Sequence, residues 1–399
     1  MKKKLFIVTT VPETLYTILK SQPSFLKAHF DVYLASSAGP FCKQVEEQEG
    51  MTVNIVPMVR GINPFYDLFS LFMMVRLLLK IKPDAVHSYT PKAGLITILS
   101  ACLCRVPVRI HTFTGLIFPT SRGIRQKILI QVDRLICACA TRIVPEGKGV
   151  KQDLFRFKIT KKKMHVIGHG NIAGVDLQYF APKVWKDSSV KEEFKISLGI
   201  EKNAFVFIFV GRLNRDKGLD ELAQAFVDMP ARCHLLIVGE LDNSAPPQKR
   251  NLTLLRQNPR VHTVGFQEDI RSFIAISDVL VLPSYREGFP NVVLQAGAMG
   301  LPVIASNING CNEVIEQGGN GWLVKPGDSL SLKRAMQKAL CAKNLDEMGL
   351  NARKIVTMNF ERQRYWQYLK EFYDREICCN ANFRHQPDGI KETVPKVPF

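Results

Sequence analysis

Short runs of apolar, often β-branched residues alternate along the chain with longer stretches of helical periodicity. The first half contains the runs KLFIVT, FDVYLASS, MTVNIVPM, PDAVHSYT, VPVRIHTFTG and ATRIVPEG, and the second half contains AFVFIFVG, CHLLIVGE, VHTVGF, SDVLVLPS and PVIAS. Apolar runs of this length are typical of strands covered on both faces, and their alternation with helices indicates βαβ units. The pattern therefore predicts an α/β protein built on parallel sheets.

The strand–helix pattern is interrupted once and then begins again at Phe205. The interruption, residues 181–203, contains Pro182, Trp185 and many charges, which predicts a linker followed by a lead-in helix. A chain of 399 residues also exceeds one ordinary core. We therefore predict a first domain over 1–185, a second over 200–360, a long amphipathic helix over 361–377 and a disordered, proline-containing tail over 378–399.

The positive charge of the chain, +18 in total, is concentrated in the first half. Residues 1–199 contain 29 lysines and arginines against 14 acids, whereas residues 200–399 contain 25 against 22. Such a field suits nucleic acid or an anionic membrane surface. We favour the membrane surface and predict no nucleic-acid partner, because apolar and basic residues alternate over 68–83 as in an interfacial helix. The alternative for this segment is a buried helix of an α/β domain.

Cysteines and apolar runs bear on the cellular compartment. The ten cysteines form no CxxC pair and no zinc-spaced cluster, which favours a reducing compartment such as the cytosol. No apolar run reaches the length of a membrane-spanning helix, and the start MKKKLFIVTT passes straight into a strand, so we expect neither a signal peptide nor an anchor.

The stretch 285–302, YREGFPNVVLQAGAMGLP, predicts a turn followed by a helix that starts near Pro290. The unpaired N–H groups of Asn291 and Val292 at that start would suit a diphosphate. Glu287, a carboxylate just ahead of this anion site, would instead face the hydroxyl groups of a sugar, and Gln295 would lie two turns on, within reach of vicinal hydroxyls. The alternative is an ordinary strand, turn and helix with Glu287 as a solvated loop acid.

Two cations follow the strand AFVFIFVG in VGRLNRDKGLDEL. Arg212 comes directly after Gly211, and Lys217 lies five residues further on. Open α/β sheets bind ligands at the carboxyl ends of their strands, where this pair would stabilise the charge that grows on a departing diphosphate. The alternative is a pair of solvated side chains in a surface turn. No Asp-x-Asp motif stands at a strand end, so we predict that these cations replace a metal ion and that the protein needs neither metal nor cofactor.

Three motifs in order, VGRLNRDKGLDEL, EGFPNVVLQAGAMGLPVIAS and GGNGWLVKPGD, closely resemble glycosyltransferase family 4, the retaining enzymes of the GT-B fold. The resemblance is strong over 200–360 and looser over the first 190 residues. It implies two Rossmann-like domains facing a central cleft, with the nucleotide-sugar on the second domain, the acceptor on the basic first domain, and the helix 361–377 crossing back to the first domain. It also implies donor contacts from Val264 and Phe266 near the base, and from Phe289 and Asn171.

The sequence departs from the family pattern at two places. Gln295 stands where the family usually has a second Glu that binds the nucleotide ribose; an amide still hydrogen-bonds a diol. Thr114 stands where the family has a His near the reacting carbon, and His111 lies three residues earlier. Either residue would take over that role, with a core imidazole as the alternative for His111. In VHSYTPKAG, Lys92 would contact an acceptor phosphate, or would be an exposed lysine on a capped helix.

The resemblance therefore implies a cytoplasmic glycosyltransferase, peripheral at the inner membrane. It would move a sugar with retention from a nucleotide donor, with UDP favoured as the nucleotide, to a lipid-linked or growing glycan acceptor in polysaccharide biosynthesis. We expect Glu287, Arg212, Lys217 and His111 to form the catalytic set, with closure of the cleft assembling the site. The alternatives are an epimerase or phosphorylase of the same fold, for which no additional acid–base set or pyridoxal phosphate lysine is recognised, and a non-enzymatic basic binding protein.

Overall fold

The computed structural model describes residues 2–59, 61, 63–182, 187–243 and 245–383. These residues form two parallel sheets of six strands each, with helices packed on the faces of the sheets. This is the predicted α/β architecture of two Rossmann-like domains. Part of the predicted linker, 183–186, and most of the predicted tail, 384–399, lie outside the described residues.

The first sheet is built from the six runs predicted in the first half of the chain. Its strands are β1 (Lys4–Val8), β2 (Asp31–Ser36), β3 (Val53–Ile55), β4 (Ala85–Tyr89), β5 (Val108–Phe113) and β6 (Arg142–Pro145). Its helices are α1 (Gln22–Lys27), α2 (Cys42–Glu49), α3 (Pro64–Ile81), α4 (Pro91–Leu103), α5 (Gly123–Cys139) and α6 (Lys148–Arg156). The strand order is β3-β2-β1-β4-β5-β6, so the winding reverses between β1 and β4.

The second sheet repeats the same topology. Its strands are β7 (Phe205–Val210), β8 (Cys233–Val238), β9 (Val261–Thr263), β10 (Val279–Leu282), β11 (Val303–Ser306) and β12 (Gly321–Val324). Its helices are α7 (Ser188–Ser197), α8 (Leu219–Phe226), α9 (Lys249–Gln257), α10 (Arg271–Ala275), α11 (Asn291–Ala298), α12 (Ser329–Cys341) and α13 (Leu345–Asn359). The order β12-β11-β10-β7-β8-β9 reverses between β7 and β10. Only β12 was absent from the sequence prediction.

The last helix, α14 (Arg362–Phe383), belongs to the core of the first domain. It continues six residues beyond the predicted end at 377. Backbone hydrogen bonds join the two crossings of the chain between the domains: Val175 N donates to Phe360 O at 2.8 Å, and Arg362 N donates to Val175 O at 3.0 Å. The buried side chains that α14 contributes to the first domain are Tyr365, Trp366, Leu369, Phe372, Tyr373 and Ile377.

The segment predicted as an interfacial or buried helix forms α3, and it is buried on one side only. Ser70, Met74, Leu78 and Ile81 face the domain. The exposed side carries Phe65, Leu68, Phe69, Phe72 and Leu79. Across the described ranges, no helix has the length and apolar character needed to cross a membrane.

Candidate active site

The carboxyl ends of strands in both sheets face one cavity between the domains, close to the point at which each strand order reverses. Open α/β sheets bind ligands at this position. The cavity measures about 210 Å³. From the first domain it is lined by Pro91, Thr114, Gly115, Leu116 and Ile117, and from the second by Arg212, Asn214, Asp216, Lys217, Arg286, Glu287 and Gly288. The structure therefore brings Arg212, Lys217, Glu287 and Thr114 together, as the sequence analysis predicted.

Lys217 and Glu287 are in direct contact. Lys217 ends a 3₁₀ turn, Arg215–Lys217, and its Nζ lies 2.6 Å from Glu287 Oε1. The two side chains are 21% and 13% exposed, so water and salt screen the attraction between their charges only weakly. Asn214 holds the turn through its side chain, which accepts a hydrogen bond from Lys217 N. A group that enters the cavity would thus meet a cation and a carboxylate side by side.

Arg212 joins this cavity to a second one of about 550 Å³ on the second domain. The Arg212 side chain is 67% exposed, and its Nη1 lies 2.7 Å from Asp242 Oδ2. The second cavity is lined by Val210, Gly211, Arg212, Val238, Gly239, Glu240, Leu241, Asp242, Phe266, Gln267 and Ile270. Its volume and its largely apolar lining suit a nucleoside.

Of the two predicted base contacts, one lines this second cavity and one does not. Phe266 lines it and is 65% exposed. Val264 does not line it, and both of its backbone groups are used within the protein: its N–H donates to Ile237 O, and its carbonyl accepts from Gln267 Nε2. The chain after β7 and the chain after β8 approach closely at Gly211 because residue 239 is also a glycine: a Cβ on Gly239 would lie 2.0 Å from Gly211 O.

Helix α11 begins beside the Lys217–Glu287 pair, as predicted. Its N-cap, Pro290, has no side chain that could cap the first turn, and α11 itself starts at Asn291. Asn291 and Val292 occupy the first two positions, where N–H groups have no partner within the helix. Gln295 lies one turn further along and is partly exposed. Their contacts with a donor stay predictions.

Two predicted donor residues have structural contacts instead. The Asn171 side chain is buried, and its Nδ2 donates to Asn291 Oδ1 at 2.6 Å, which ties the first domain to the start of α11. Phe289 is 5% exposed and packs against Phe360, with ring centroids 5.3 Å apart. Neither residue lines the two cavities. Both residues therefore stabilise the chain around the start of α11, at residues 289–291, through contacts within the protein.

His111 matches the core-imidazole alternative rather than the catalytic one. Its ring is 1% exposed, its Nδ1 lies 2.9 Å from Ser88 Oγ, and the ring occupies the space that a Cβ on Gly94 would need. Burial lowers the pKa of His111 to about 3, so the imidazole is neutral. Of the two candidates for this position, Thr114 is the one that lines the cavity.

Lys92 is also committed to the protein itself. Its Nζ lies 2.6 and 2.7 Å from the two carboxylate oxygens of Asp67, and the side chain is 11% exposed. The structure therefore gives no support to an acceptor-phosphate contact from Lys92. The ion pair instead ties the first turn of α3 to the first turn of α4, whose Pro91 borders the cavity.

One buried acid at the cleft, Glu146, escaped the sequence analysis. It follows β6 directly and is 6% exposed. Burial, together with the nearby carboxylates of Glu287 and Glu313, raises the pKa of Glu146 to about 8. The signal that would have found it is an acidic residue immediately after a buried strand, at the sheet edge where ligands bind.

Among the residues that the structure describes, no group of three or more His, Cys, Asp or Glu side chains is placed to hold a metal ion. Metal independence nevertheless stays a prediction.

Comparison with known proteins identifies the chain. Residues 24–171 match the family described as Glycosyltransferase Family 4, and residues 190–355 match Glycosyl transferases group 1. The capsular polysaccharide biosynthesis glycosyltransferase CapM of Staphylococcus aureus is 32% identical over 93% of this chain and 97% of its own length. The chain belongs to glycosyltransferase family 4.

Further relatives agree with this family 4 assignment. The UDP-Gal:alpha-D-GlcNAc-diphosphoundecaprenol alpha-1,3-galactosyltransferase of Escherichia coli is 30% identical over 86% of this chain and 89% of its own length. Among solved structures, HepE of Anabaena in complex with UDP superposes with a TM-score of 0.77 at 20% identity, covering 94% of this chain and 100% of that one. That likeness shows the GT-B fold, and family 4 membership makes the protein a glycosyltransferase.

Proposed function

We propose that this glycosyltransferase moves a sugar from a UDP-linked donor to a lipid-linked saccharide, with retention of anomeric configuration, in the assembly of a capsule or another polysaccharide. The observation that carries the proposal is the pairing of Lys217 with Glu287 in a cavity shared by both domains, next to a nucleoside-sized cavity that Arg212 joins to it. The E. coli relative is named for UDP-Gal as donor and a diphosphoundecaprenol-linked acceptor, which supports this donor and acceptor class.

The order of groups along the two cavities fits a nucleotide-sugar. A base and ribose would occupy the cavity beside Phe266, the diphosphate would lie by Arg212 and Lys217, and the sugar would lie by Glu287, facing Thr114 of the first domain. Cations at the diphosphate stabilise the leaving group as the glycosidic bond breaks. We therefore propose that the reaction proceeds without a metal ion.

We further propose that the acceptor arrives from an anionic membrane surface on which the first domain docks. The exposed side of α3 carries Phe65, Leu68, Phe69, Phe72 and Leu79. Helix α4 contacts both α3 and α5, and α5 exposes Ile124 and Ile128 beside basic Arg122, Arg125 and Lys127. Apolar side chains bordered by cations are typical of interfacial helices. The Asp67–Lys92 pair places this surface next to the cavity.

The deciding experiment offers the protein a panel of UDP- and GDP-sugars with an undecaprenyl-diphosphate-linked saccharide, in detergent and with a chelator. Mass spectrometry would detect the extended lipid, and NMR would give the anomeric configuration. We expect transfer from one UDP-sugar, and a fall in kcat of about 10²- to 10³-fold in Arg212→Ala and Lys217→Ala.

The matched control is Lys333→Ala, which breaks a lysine–carboxylate pair of similar length, Lys333 Nζ to Asp228 Oδ2 at 2.7 Å, away from both cavities. This variant should transfer sugar at the rate of the unchanged protein. The proposal is wrong if no nucleotide-sugar is consumed, or if all three variants behave alike.

A further inference from the structure

Glu146 lies in the contact between the two domains. Its main chain is fixed within the first domain, since Glu146 N donates to Phe113 O at 3.0 Å and Glu146 O accepts from Asn171 N at 2.9 Å. Its carboxyl group lies against Gly288 of the second domain: a Cβ on Gly288 would be 2.6 Å from Glu146 Oε2 and 2.3 Å from Thr114 O. Any side chain at 288 would therefore separate the domains.

Gly288 directly follows Glu287, so this contact acts on the residue that pairs with Lys217. The opposite side of the same loop is also confined. A Cβ on Gly115 would lie 3.2 Å from Gly288 Cα, and a Cβ on Gly310 would lie 2.7 Å from Gly288 O. The backbone at Gly288 thus has little room to move in the domain arrangement of the structure, hereafter the closed form, and the Glu146 carboxyl group packs against it.

Several charged or titratable groups surround the Glu146 carboxyl. Glu287 and Glu313 carry carboxylates that oppose its ionisation, and Tyr365 of α14 lies close enough to interact with it electrostatically. Lys217 pairs with Glu287, so its charge is already used there.

The remaining partners of this cluster are backbone groups. The Glu313 carboxylate accepts hydrogen bonds from the N–H groups of Lys148 and Gly149 at 2.6 and 2.9 Å. The Glu146 carboxyl group accepts a hydrogen bond from the backbone of Ile172. Burial favours the neutral form of the Glu146 carboxyl group.

We propose that Glu146 is a positioning residue for the sugar transfer: its neutral carboxyl group, held in the domain contact, supports the backbone at Gly288 and so fixes Glu287 when the cleft closes. The reaction to which this role applies rests on the proposed function. Glu146 lines neither cavity, so it acts through Glu287 and not on the substrate.

The proposal gives closure a definite pH dependence. In an open cleft the Glu146 carboxyl would be hydrated and would ionise near its ordinary pKa of 4.5, whereas in the closed form its pKa is about 8. The closed form therefore retains a proton that the open form releases, and closure becomes progressively less favourable as pH rises through this window. Above pH 8 the closed form itself carries a third carboxylate beside Glu287 and Glu313.

The test compares Glu146→Gln and Glu146→Ala with the unchanged protein, measuring kcat and KM against pH. Glutamine keeps the size and the neutral charge of the protonated acid, so we expect Glu146→Gln to keep its kcat as pH rises, whereas the kcat of the unchanged protein should show an alkaline fall as pH rises toward 8. Alanine leaves the loop unsupported and should lower kcat at least about tenfold at every pH, with a smaller effect on donor KM. Thermal unfolding would verify that both variants are folded.

Asp133→Asn is the matched control, because Asp133 is a second buried acid of the first domain whose pKa is raised, to about 7, by burial on α5. It should leave the alkaline fall in kcat in place. If Glu146→Gln keeps that alkaline fall, or if Glu146→Ala equals the unchanged protein, the role of Glu146 is refuted while the transferase function stands.

Small-angle X-ray scattering of the free protein at pH 6 and pH 9 separates the two proposals. We expect the radius of gyration of the unchanged protein and of Asp133→Asn to increase with pH, and that of Glu146→Gln to stay constant. This result would support the role of Glu146 in closure even if no sugar were transferred. An equal increase in Glu146→Gln would contradict it.

Discussion

At the scale of single residues, the chemistry of the cleft depends on the contact between Lys217 Nζ and Glu287 Oε1. An ammonium and a carboxylate in contact hold each other in position. Each can still form hydrogen bonds to a ligand, because the lysine has three donors and the carboxylate has about four acceptor sites. The pair therefore suits a substrate that carries an anionic group next to hydroxyl groups. A nucleotide-sugar has both groups, because its diphosphate is bonded directly to the sugar.

Replacing Glu287 with glutamine should separate binding from transfer. Glu287→Gln preserves shape but removes the charge that holds Lys217 and accepts hydrogen bonds from a sugar, so we expect kcat to fall about 10²- to 10³-fold. The affinity for UDP alone, measured by calorimetry, should change less than about threefold, since the nucleoside cavity and Arg212 are untouched. Asp228→Asn, which removes the acid of the exposed Lys333 pair, should alter neither quantity. Loss of UDP binding in Glu287→Gln would contradict this division of roles.

Some of the residues that the sequence predicted for the site line the cavity, and others are held inside the protein for a physical reason. Arg212, Lys217 and Glu287 follow strand ends at the reversal of the sheet, a position that the strand pattern alone locates. His111 lies in β5, two residues before the strand ends, and Lys92 lies three residues after β4, but whether such a side chain faces the cleft or the core depends on neighbours distant in sequence. For His111 these neighbours are Ser88 and Gly94, and for Lys92 the neighbour is Asp67.

At the scale of elements, α3 differs from the other helices of the first sheet in what it leaves exposed. A helix on an α/β sheet ordinarily buries its apolar side and exposes polar residues. Helix α3 buries Met74 and Leu78, yet it also exposes Phe65 and Phe72 on the opposite side. Its sequence is apolar almost all round, which is why the pattern of this segment alone left the buried helix open as an alternative to the interfacial one.

Membrane binding through α3 can be tested without disturbing the fold. Phe65 and Phe72 are 89% and 60% exposed, so the double change Phe65→Ser/Phe72→Ser should leave thermal unfolding unchanged. Each phenylalanine transferred from water contributes about 1.5–3 kcal/mol, so the double variant should bind anionic vesicles at least about tenfold more weakly in flotation assays. Leu330→Ser/Leu350→Ser, which removes two exposed leucines from the second domain, should bind as the unchanged protein does. Equal weakening in both pairs would argue against α3 as the docking surface.

The elements that the sequence analysis missed are short or depend on tertiary contacts. Strand β12 has only four residues, GWLV, and it becomes a strand because it pairs with β11 along its whole length. Helix α14 continues past 377 although the sequence turns polar there. The remaining strands were predictable because strands covered on both faces need continuous apolar runs, which the chain displays in order.

At the scale of the whole molecule, the two domains are joined in two ways. On one side the crossings at Val175 and Glu361 form an isolated parallel β-bridge. Elsewhere the domains meet through individual side chains, such as Tyr16 Oη, which donates to Glu268 Oε1 at 2.9 Å. Opening of the cleft around the paired crossings would break these side-chain contacts and leave the crossings intact, which fits closure as a step of the proposed reaction.

The two domains should nevertheless differ in their ability to fold alone, because α14 completes only the first. Six buried side chains of α14 pack on β1, β4 and neighbouring elements, and Tyr373 Oη lies 2.6 Å from His87 Nδ1. At about 1.5–3 kcal/mol for each buried side chain, their loss is comparable to the whole stability of a domain, about 5–15 kcal/mol. We therefore expect residues 1–175 to lack a cooperative thermal transition by circular dichroism, and residues 174–360 to show one.

Restoring α14 distinguishes this account from general instability of fragments. Because Val175 and Glu361 are neighbours, residues 1–175 can be joined through a short glycine–serine linker to 361–383, which returns the helix to its site without the second domain. This chain should regain a cooperative transition, and the same chain with Leu369→Asp, a charge placed at a fully buried position, should lose it again. A cooperative transition in residues 1–175 alone would show that the first sheet and α1–α6 suffice, and that α14 is an accessory to the fold rather than part of its core.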